Sequence, residues 1–480
     1  MAKFLLILPH LQQRMGAPYL GQQYIAAALL AAGHEVLCLD LAALLWRGSE
    51  DDAVAKARTF GPDVIGMTLF TYNALAGYQL LARLRAEGLG RLYVAGGPHP
   101  TVLPSEVVAH GFDVAVVGEG EKVIVAIAEA VDAPRDLLGS IIDRVRHIPG
   151  CHTAHGAGPA SGFIDDLDSL PLPHTSYPSF DPYLYSAQGH IGVGGMLTSR
   201  GCPARCTFCA NYVTGRGYRF RSTEHIINEM IQLSRVTQIN NFPFWDDAFT
   251  ARRPRLQSLC KAILASEELA GATWTCITPG NMVRDFDLVM MREAGCLAVN
   301  FGIESGDYNI LKVIQKGQRP EHVKAAVKAA RAAGMMTIVN FMFGFPEEGV
   351  TELQNTLDFM HELAPYTNFF NNRGVLVPFP GTVIYDQHVA NYDIAGWWLD
   401  PARVGDEPNL FAMGANESQT ALEVDPTLAL DYFRYATPVR DKIAECVRFK
   451  ALHNQAAIAA MSRRYASSAP GSVVARSSAA

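Results

Sequence analysis

The feature that most constrains the fold is a repeated alternation of short apolar runs and helical patterns. Five runs in the first 130 residues read as β-strands, namely FLLIL (4–8), EVLCL (35–39), DVIGM (63–67), LYVAG (92–96) and DVAVVG (113–118). Segments with helical spacing that end in glycine lie between them. Continuous apolar strands joined by helices are typical of a parallel sheet covered on both faces. We therefore predict a doubly wound α/β domain over residues 1–130, with ligands bound at the carboxyl ends of its strands.

A second series of strand and helix patterns begins near residue 193. Its strands are predicted near 194–200, 238–245, 273–277, 297–303, 337–343 and 368–377, and its helices near 223–235, 253–266, 285–294, 320–333 and 350–363. Six units predict an open, partial (β/α)6 barrel over 193–385, because a closed barrel needs eight.

Three further regions complete the predicted organisation. Residues 131–192 are rich in proline and glycine, which predicts a linker that is ordered in part. Residues 386–465 are predicted to be mainly helical and are a candidate substrate lid. The Ser/Ala-rich segment 466–480 is predicted to be disordered.

Composition excludes several functions for these 480 residues. The 40 basic and 47 acidic side chains give a net charge of −7, which argues against a nucleic-acid partner or an anionic membrane surface. No run approaches the roughly 18 uninterrupted apolar residues of a membrane span. The apolar start is too short for a signal peptide. We therefore expect a cytoplasmic protein.

The nine cysteines are an odd number and fit a reducing compartment better than a disulfide framework. Five of them lie in apolar or periodic surroundings and are predicted to be core residues, namely Cys38, Cys260, Cys276, Cys296 and Cys446. Cys151 lies in a polar stretch and has no predicted role.

Three cysteines are clustered in GCPARCTFCA (201–210), as Cys202, Cys206 and Cys209. A structural zinc site is one alternative, but it normally needs four ligands, and the next histidine, His225, is distant in the sequence. An iron–sulfur cluster is the other, since thiolates are its usual ligands. Three thiolates leave one iron open to an outside ligand.

The CxxxCxxC spacing, with Phe208 before the last cysteine and a (βα)6 series behind it, resembles the radical S-adenosylmethionine (SAM) superfamily over roughly 190–380. The resemblance implies a [4Fe-4S] cluster whose open iron is chelated by SAM. It also implies SAM contacts beside the cluster and at three strand ends, from Phe208, Asp246, Asp247, Glu304, Ser305, Phe343 and Gly344. Each acid lies at a strand-to-helix turn and could instead be a helix N-cap, as could Glu347 and Glu348.

The turns of the first domain lack a GxGxxG dinucleotide fingerprint. The ordered segments PYLGQQYIAAALLAAGHEVLCLD, PDVIGMT, GGPHPT and VVGEGE resemble the cobalamin-binding domain of B12-dependent radical SAM enzymes. That resemblance implies cobalamin contacts from Pro9, Leu20, Gly21, Thr68, Gly96, Gly97, Pro98, His99, Gly118, Glu119 and Gly120. The glycines let the backbone approach the corrin closely. The GEGE segment could also be a tight turn with N-cap acids.

The string DxHxxG, whose histidine ligates cobalt in many cobalamin proteins, is absent. We therefore expect base-off cobalamin with no histidine on cobalt. His10, His34 and His99 are weak candidates, with His34 expected at the surface and His99 in a turn.

The resemblance implies that SAM is cleaved to a 5′-deoxyadenosyl radical and that methylcobalamin methylates an unactivated carbon, less often phosphorus, of a small biosynthetic intermediate. It implies an external electron donor such as flavodoxin or ferredoxin and no nucleophile from the protein. The same cofactors also serve non-methylating chemistry, such as oxidative cyclisation, ring rearrangement or anaerobic oxygenation. A third reading is a cobalamin- or cluster-dependent sensor without turnover.

Substrate contacts are predicted near the end of the sixth strand and just beyond it, from Asn371, Asn372, Arg373 and Trp397. Arg373 suits a carboxylate or phosphate, or it could be a structural ion-pair partner. Trp397 could equally pack in a core or a lid.

Overall fold

The computed structural model describes residues 1–10, 18–43, 48–133, 140–173, 195–237, 239–371, 374–404 and 431–468. Two predicted substrate residues, Asn372 and Arg373, lie outside these ranges, as do residues 469–480 of the predicted tail; of Asn371 only the backbone is described. No helix within the described ranges combines the length and apolar character that crossing a membrane requires.

A five-stranded parallel sheet forms the N-terminal part and confirms the doubly wound α/β prediction. Its strands are β1 (Lys3–Leu8), β2 (Glu35–Asp40), β3 (Val64–Thr68), β4 (Leu92–Gly96) and β5 (Val114–Val116), in the order β2-β1-β3-β4-β5. The helices are α1 (Leu20–Ala31), α2 (Glu50–Phe60), α3 (Ala74–Ala86), α4 (Pro98–Val102), α5 (Pro104–Ala109) and α6 (Glu121–Asp132). Strand β1 is buried on both faces, since Leu5 and Ile7 pack in one apolar cluster and Phe4 and Leu6 in another.

Part of the predicted linker belongs to this first sheet, which corrects the prediction for 131–192. After α7 (Ile141–Val145), strands β6 (Cys151–Thr153) and β7 (Gly156–Ala157) extend the sheet antiparallel beyond β5. Strands of two or three residues are too short to show an apolar period, so the sequence pattern did not reveal them.

The second part begins with an antiparallel hairpin and continues as a parallel sheet. The hairpin strands are β8 (Ser199–Arg200) and β9 (Arg219–Phe220). The sheet strands are β10 (Asn241–Pro243), β11 (Thr273–Pro279), β12 (Cys296–Glu304), β13 (Met336–Phe341) and β14 (Phe369–Asn371), paired in chain order. The helices are α8 (Thr223–Thr237), α9 (Arg253–Ala265), α10 (Asp285–Glu293), α11 (Tyr308–Val313), α12 (Pro320–Ala332) and α13 (Val350–Leu363). Together they form the partial barrel that the sequence predicts.

Of the predicted first barrel strand, 194–200, only Met196 pairs with the barrel, through one parallel bridge to Phe244, and Ser199–Arg200 form β8 of the hairpin instead, which corrects that prediction. The reason is a side chain. The carboxylate of Asp246 accepts the backbone N–H groups of Thr198 and Ser199, at 2.6 and 3.2 Å. A strand partner would otherwise have taken them.

The C-terminal region covers the open edge of the barrel. It contains α14 (Val383–Tyr392), α15 (Pro401–Val404) and α16 (Thr437–Ser468), and α16 packs on α13 and β14. The Asn454 amide donates to the Phe370 carbonyl and accepts from its N–H, both at 2.9 Å. The helix therefore satisfies an edge strand that would otherwise be unpaired. A lid function for 386–465 stays a prediction.

Four of the five cysteines predicted to be core residues, Cys260, Cys276, Cys296 and Cys446, are buried, and Cys38 is partly buried. Cys151, which had no predicted role, is buried in β6.

Candidate cluster and cofactor site

The three clustered cysteines lie on the loop that joins β8 to β9. Gly201 at its start has a φ of +85°, and a Cβ there would meet the Gly217 carbonyl oxygen at 2.2 Å. Only glycine allows the two ends of the loop to approach so closely. The loop is also tied to the barrel, because the Thr207 N–H donates to the Ile314 carbonyl at 3.0 Å.

The three thiols share one electrostatic environment at the barrel mouth. Desolvation in this cleft raises the pKa of Cys202 and Cys206, and desolvation followed by the charge of Cys206 raises that of Cys209 to about 12. A nearby cation, Lys316, opposes the shift at each cysteine. A metal that binds thiolates has to displace these protons.

The donor set fits an iron–sulfur cluster better than zinc. Within the described ranges, no group of three or more His, Cys, Asp or Glu side chains is already drawn together as a metal site. The loop offers three thiols, of which Cys202 and Cys206 are half-buried and Cys209 is exposed to the cleft. Three sulfur ligands with an open side are what a cluster that keeps one iron free requires.

Lys316 is the functional candidate that the sequence analysis missed. Its ammonium lies 2.7 Å from Glu304 Oε1 and 5.8 Å from the centre of the Phe208 ring, and its side chain is only 10% exposed. Burial alone would lower its pKa, but the charges of Glu304 and Cys206 raise it above the usual value. Phe208, within the cluster loop, therefore lies near the Lys316 ammonium, and its SAM contact stays a prediction. A single lysine in the polar segment after α11 gives no periodic signal.

The Glu304 backbone is strained at the point where β12 ends. Its φ is +72°, and the register between β12 and β13 shifts between Gly302 and Glu304. A left-handed conformation costs a non-glycine residue about 1 kcal/mol or more and persists where the surroundings impose it. Here it turns a buried carboxylate toward Lys316, which supports the predicted role of Glu304 in the site.

The adjacent acids Asp246 and Asp247 have different surroundings. Asp246 is fully buried, accepts from the Ser199 hydroxyl at 2.8 Å and pairs with Arg255 at 3.5 Å. Asp247 is exposed to the cleft and has no hydrogen-bond or ion-pair partner among the described residues. Desolvation and then the charge of Asp246 raise the pKa of Asp247. Asp246 therefore has a structural role, whereas the carboxylate of Asp247 is available to bind a ligand.

Ser305 belongs to a buried turn rather than to the open cleft. Its hydroxyl lies 3.0 Å from that of Thr356 and accepts the Asp307 N–H at 3.1 Å. Ser305 therefore supports the turn after β12, and its SAM contact stays a prediction.

The predicted adenine-packing segment, Phe343 and Gly344, is enclosed by the C-terminal region. Phe343 is fully buried in the barrel core. The Gly344 carbonyl accepts from the Tyr435 hydroxyl, and its N–H donates to Glu348 Oε2 at 2.6 Å. Glu348 therefore shapes this segment from within, and of the two acids proposed as caps, Glu347 stays partly exposed.

We predict that replacing Lys316 with glutamine weakens SAM binding roughly 10- to 100-fold, in the range seen when groups supporting a metal site are removed. The physical reason is the loss of a buried cation whose charge acts on all three thiols. The measurement is the Kd for SAM in anaerobic, cluster-loaded protein. Lys312→Gln is the matched control, because Lys312 is exposed and its ammonium lies over the Tyr308 ring, 5.0 Å from the ring centre. Equal SAM affinity in the two variants would contradict this role.

Glu348 predicts a pH dependence of stability. Burial raises its pKa to about 8, against an ordinary value of 4.5, despite the two backbone N–H donors. The folded state therefore keeps a proton that the unfolded state releases, and stability falls as pH rises through this window, by up to about 1.4 kcal/mol per pH unit. Glu348→Gln should flatten this fall, whereas Glu347→Gln should leave it unchanged. Denaturant unfolding across the window measures it; parallel curves for wild type and Glu348→Gln would refute it.

The carboxyl edge of the first sheet, where its parallel strands end, brings the predicted cobalamin residues together. Thr68 pairs in register with Gly96, and the Leu69 N–H donates to the Gly96 carbonyl at 2.9 Å. Gly97 has a φ of +106°, and a Cβ there would lie 3.0 Å from the Leu69 carbonyl. A Cβ on Gly96 would meet nothing within 4 Å, so there is room on that side of the strand.

The other predicted cobalamin residues frame the same edge. Pro9 follows β1, Leu20 and Gly21 begin α1, and Pro98 begins α4. The Gly118 N–H donates to Thr101 Oγ1 at 3.1 Å, while Gly120 caps α6.

Three buried polar atoms at this edge lack a hydrogen-bond partner among the described residues, which fits a large polar ligand. They are Gln23 Nε2 in the first turn of α1, Asn73 Nδ2 after β3 and His99 Nδ1 after β4, each on a side chain that is almost fully buried. Leaving such atoms unpaired is costly. Cobalamin, whose corrin carries amide groups, would offer them partners.

His99 is held within the protein on its other ring nitrogen. Its Nε2 lies 3.0 Å from the Tyr78 hydroxyl and 3.1 Å from Glu106 Oε1, which also accepts from the Trp398 indole at 2.9 Å. His99 therefore links the first domain to the C-terminal region, and its absence from cobalt stays a prediction.

The expectation that His34 lies at the surface was wrong. Its Nδ1 accepts the Ala2 N–H at 3.3 Å and lies 3.5 Å from Asp132. It precedes β2, at the edge opposite the predicted cobalamin turns, whereas His10 is exposed after β1.

Two predicted ligand residues have structural partners instead. Trp397 is buried, donates to the Pro378 carbonyl at 3.0 Å and packs edge-on against Tyr432, so core packing replaces the predicted substrate contact. Glu119, in the Gly118–Gly120 turn, pairs with Arg200 and Arg219 of the hairpin. Its surroundings therefore do not match a cobalamin ligand.

Both parts of the chain are similar to known protein families. Residues 16–128 match the B12 binding domain model, and residues 196–360 match that of the radical SAM superfamily. An uncharacterized methyltransferase of Pyrococcus horikoshii is 30% identical, over 81% of this chain and 83% of its own. An anaerobic magnesium-protoporphyrin IX monomethyl ester cyclase of Rubrivivax gelatinosus is 27% identical, over 71% of this chain and 61% of its own.

A solved structure shows the same fold. The radical SAM methyltransferase TsrM from Kitasatospora setae is 18% identical, with a TM-score of 0.68 over 98% of this chain and 100% of its own. At that identity the match shows the architecture, a cobalamin-type parallel domain followed by a radical SAM barrel.

Both signatures in this order, with a relative similar over most of both chains, define a cobalamin-dependent radical SAM enzyme. This chain belongs to that family, which confirms the predicted resemblance and sets aside the reading as a sensor. Its cofactors are a [4Fe-4S] cluster, SAM and cobalamin.

Proposed function

We propose that this enzyme methylates an unactivated carbon, or less often phosphorus, of a small biosynthetic intermediate. We base this on one observation: the hairpin that carries the three cysteines contacts the Gly118–Glu121 turn at the carboxyl edge of the first sheet, through Arg200 and Glu119 at 3.1 Å. The two cofactor-binding parts, residues 1–130 with β6 and β7 added and residues 193–385, therefore face each other within one chain.

The chain's own residues would hold the cofactors in place. Three thiolates, from Cys202, Cys206 and Cys209, would bind the cluster and leave one iron open. Asp247 is the free carboxylate suited to the SAM ammonium, and Lys316 the cation suited to its carboxylate. Glu304, turned by its strained backbone, would orient Lys316 and contact the ribose.

When bound, the reduced cluster supplies the electron that cleaves SAM to the deoxyadenosyl radical, and cobalamin supplies the methyl group. The protein's task is orientation and exclusion of water. The apolar enclosure by Phe343 and Tyr435 serves that task, and no described side chain needs to act as a nucleophile. We further propose that an external one-electron carrier such as flavodoxin or ferredoxin reduces the cluster in the cytoplasm, with no nucleic-acid partner.

A second function, non-methylating ring formation, is supported by the similarity to the anaerobic cyclase. Product mass separates the two, because methylation adds one CH2 and oxidative cyclisation removes hydrogen. The test is to incubate the reconstituted enzyme with SAM, reductant and candidate intermediates and to weigh the product. A gain of CH2 that carries label from methyl-labelled SAM supports the proposal, whereas a product that has lost hydrogen without label supports cyclisation.

A further inference from the structure

The segment GEGE (118–121) connects β5 to α6. Its two acidic side chains contact the second domain. Glu119 receives both terminal nitrogens of Arg219, each at 2.9 Å, and one of Arg200 at 3.1 Å. The second terminal nitrogen of Arg200 donates to Glu121 Oε1 at 2.5 Å. Two acids of the first domain thus meet two arginines of the second.

These four charges are removed from water. Glu119 is 2% exposed and Arg219 is 11% exposed, with Arg200 and Glu121 at 7% each. Although burial alone would raise it, the hydrogen bonds from Arg219 and the charge of Arg200 hold the pKa of Glu119 below its usual value. The fork-shaped contact of Arg219 with both carboxylate oxygens fixes direction as well as distance.

The two arginines lie at the two ends of the cysteine loop, where β8 and β9 pair and form the neck of the loop. Arg200 and Arg219 are directly paired across β8 and β9, and the loop between them carries all three cysteines. Close to Arg200, the Cys202 N–H donates across the neck to the Gly215 carbonyl at 3.2 Å. Like charges directly opposite each other destabilise a strand pair. Glu119 and Glu121 remove that repulsion, so the neck depends on the other domain.

The same turn is bonded to the cobalamin edge. The Gly118 N–H donates to Thr101 Oγ1, which in turn donates to the Gly97 carbonyl at 2.8 Å. Hydrogen bonds and the backbone of the GEGE turn therefore connect the β4 turn to the two arginines at the ends of the cysteine loop.

We propose that Glu119 and Glu121, with Arg200 and Arg219, are positioning residues that set the placement of the cluster loop relative to the cobalamin edge. This rests on the family's two cofactors being bound, as in the proposed function. Glu119 then acts through the arginines and not as a cobalamin ligand.

The experiment compares wild type with Glu119→Gln and Arg219→Gln, each loaded with cobalamin and the cluster. Pulsed EPR measures how strongly the reduced cluster enhances the spin relaxation of cob(II)alamin, which reports the distance between them. In wild type we expect one well-defined relaxation enhancement. In both variants, at unchanged cofactor content, we expect the enhancement to be weaker and spread over a range of values. Arg253→Gln is the matched control, because Arg253 pairs with buried Asp287 at 2.9 Å within the barrel alone.

Two results would overturn the proposal: both variants keep the wild-type enhancement, or Glu119→Gln loses cobalamin while keeping a full cluster, which makes it a ligand. If Arg219→Gln does not fold, Arg219→Lys decides, since it keeps the charge but not the fork; it should broaden the enhancement, and a wild-type signal would count against us. The readout needs no methyl transfer, so failure of the proposed function leaves it interpretable.

Discussion

Cys206→Ala is expected to abolish SAM cleavage and to leave cobalamin binding intact. Two thiolates and an open iron do not hold a cube, so iron should fall from about four per chain to near zero. Cobalamin should still bind, because its residues lie on the carboxyl edge of the first sheet. The measurements are iron and acid-labile sulfide content, deoxyadenosine formation and cobalamin absorbance after gel filtration.

The matched control is Cys260→Ala, since Cys260 is buried in the barrel core and distant in sequence from the loop. It should keep the cluster while losing some stability, as cavity-forming substitutions do. A Cys206→Ala protein with full iron content would show that the thiols do not hold the cluster. Zinc instead of iron in Cys260→Ala, lost in Cys206→Ala, would support the structural zinc alternative.

The neighbouring substitutions Asp246→Asn and Asp247→Asn are expected to have opposite effects. Asp246→Asn leaves the Arg255 guanidinium buried without its anion, and breaking a buried pair in this way costs about 3–5 kcal/mol of unfolding free energy. Asp247→Asn removes a carboxylate without a described partner, so stability should change by less than about 0.5 kcal/mol. Denaturant unfolding of each variant measures both effects.

For SAM binding we expect the reverse: Asp247→Asn should weaken it and Asp246→Asn should not. Losing a hydrogen bond to a charged group costs about 1.5–3 kcal/mol, which corresponds to roughly 10- to 100-fold weaker SAM binding for Asp247→Asn. The Asp246→Asn protein that remains folded should bind SAM nearly as wild type does. If Asp246→Asn weakens SAM binding and Asp247→Asn does not, the roles assigned to the two acids are exchanged.

Much of the architecture follows from local sequence patterns. Apolar runs marked the five strands of the first sheet, because strands buried on both faces are apolar throughout. The cysteine loop was also visible, since its ligands lie within eight consecutive residues. The short strand β6 was not predicted, because three residues show no periodicity, and the strand predicted over 194–200 was too long, because Asp246 takes the N–H groups of Thr198 and Ser199.

The roles of several site residues depend on packing that sequence does not show. Lys316 gains its role only because the turn after α11 lies against the cluster loop. Glu119 changes from a predicted cobalamin contact to an interdomain partner because two arginines dock on it. Trp397 becomes a core residue because the segment around Tyr432 folds over it. Each outcome is decided by contacts between distant parts of the chain.

One chain is expected to bind both cofactors and to use SAM in two ways. The most direct test is anaerobic incubation of the cobalamin- and cluster-loaded protein with SAM and a strong reductant, measuring 5′-deoxyadenosine and S-adenosylhomocysteine in the same sample. We predict both products, the first from radical cleavage and the second from methylation of the cobalamin. Deoxyadenosine without S-adenosylhomocysteine would contradict the methyltransferase account and favour the non-methylating chemistry.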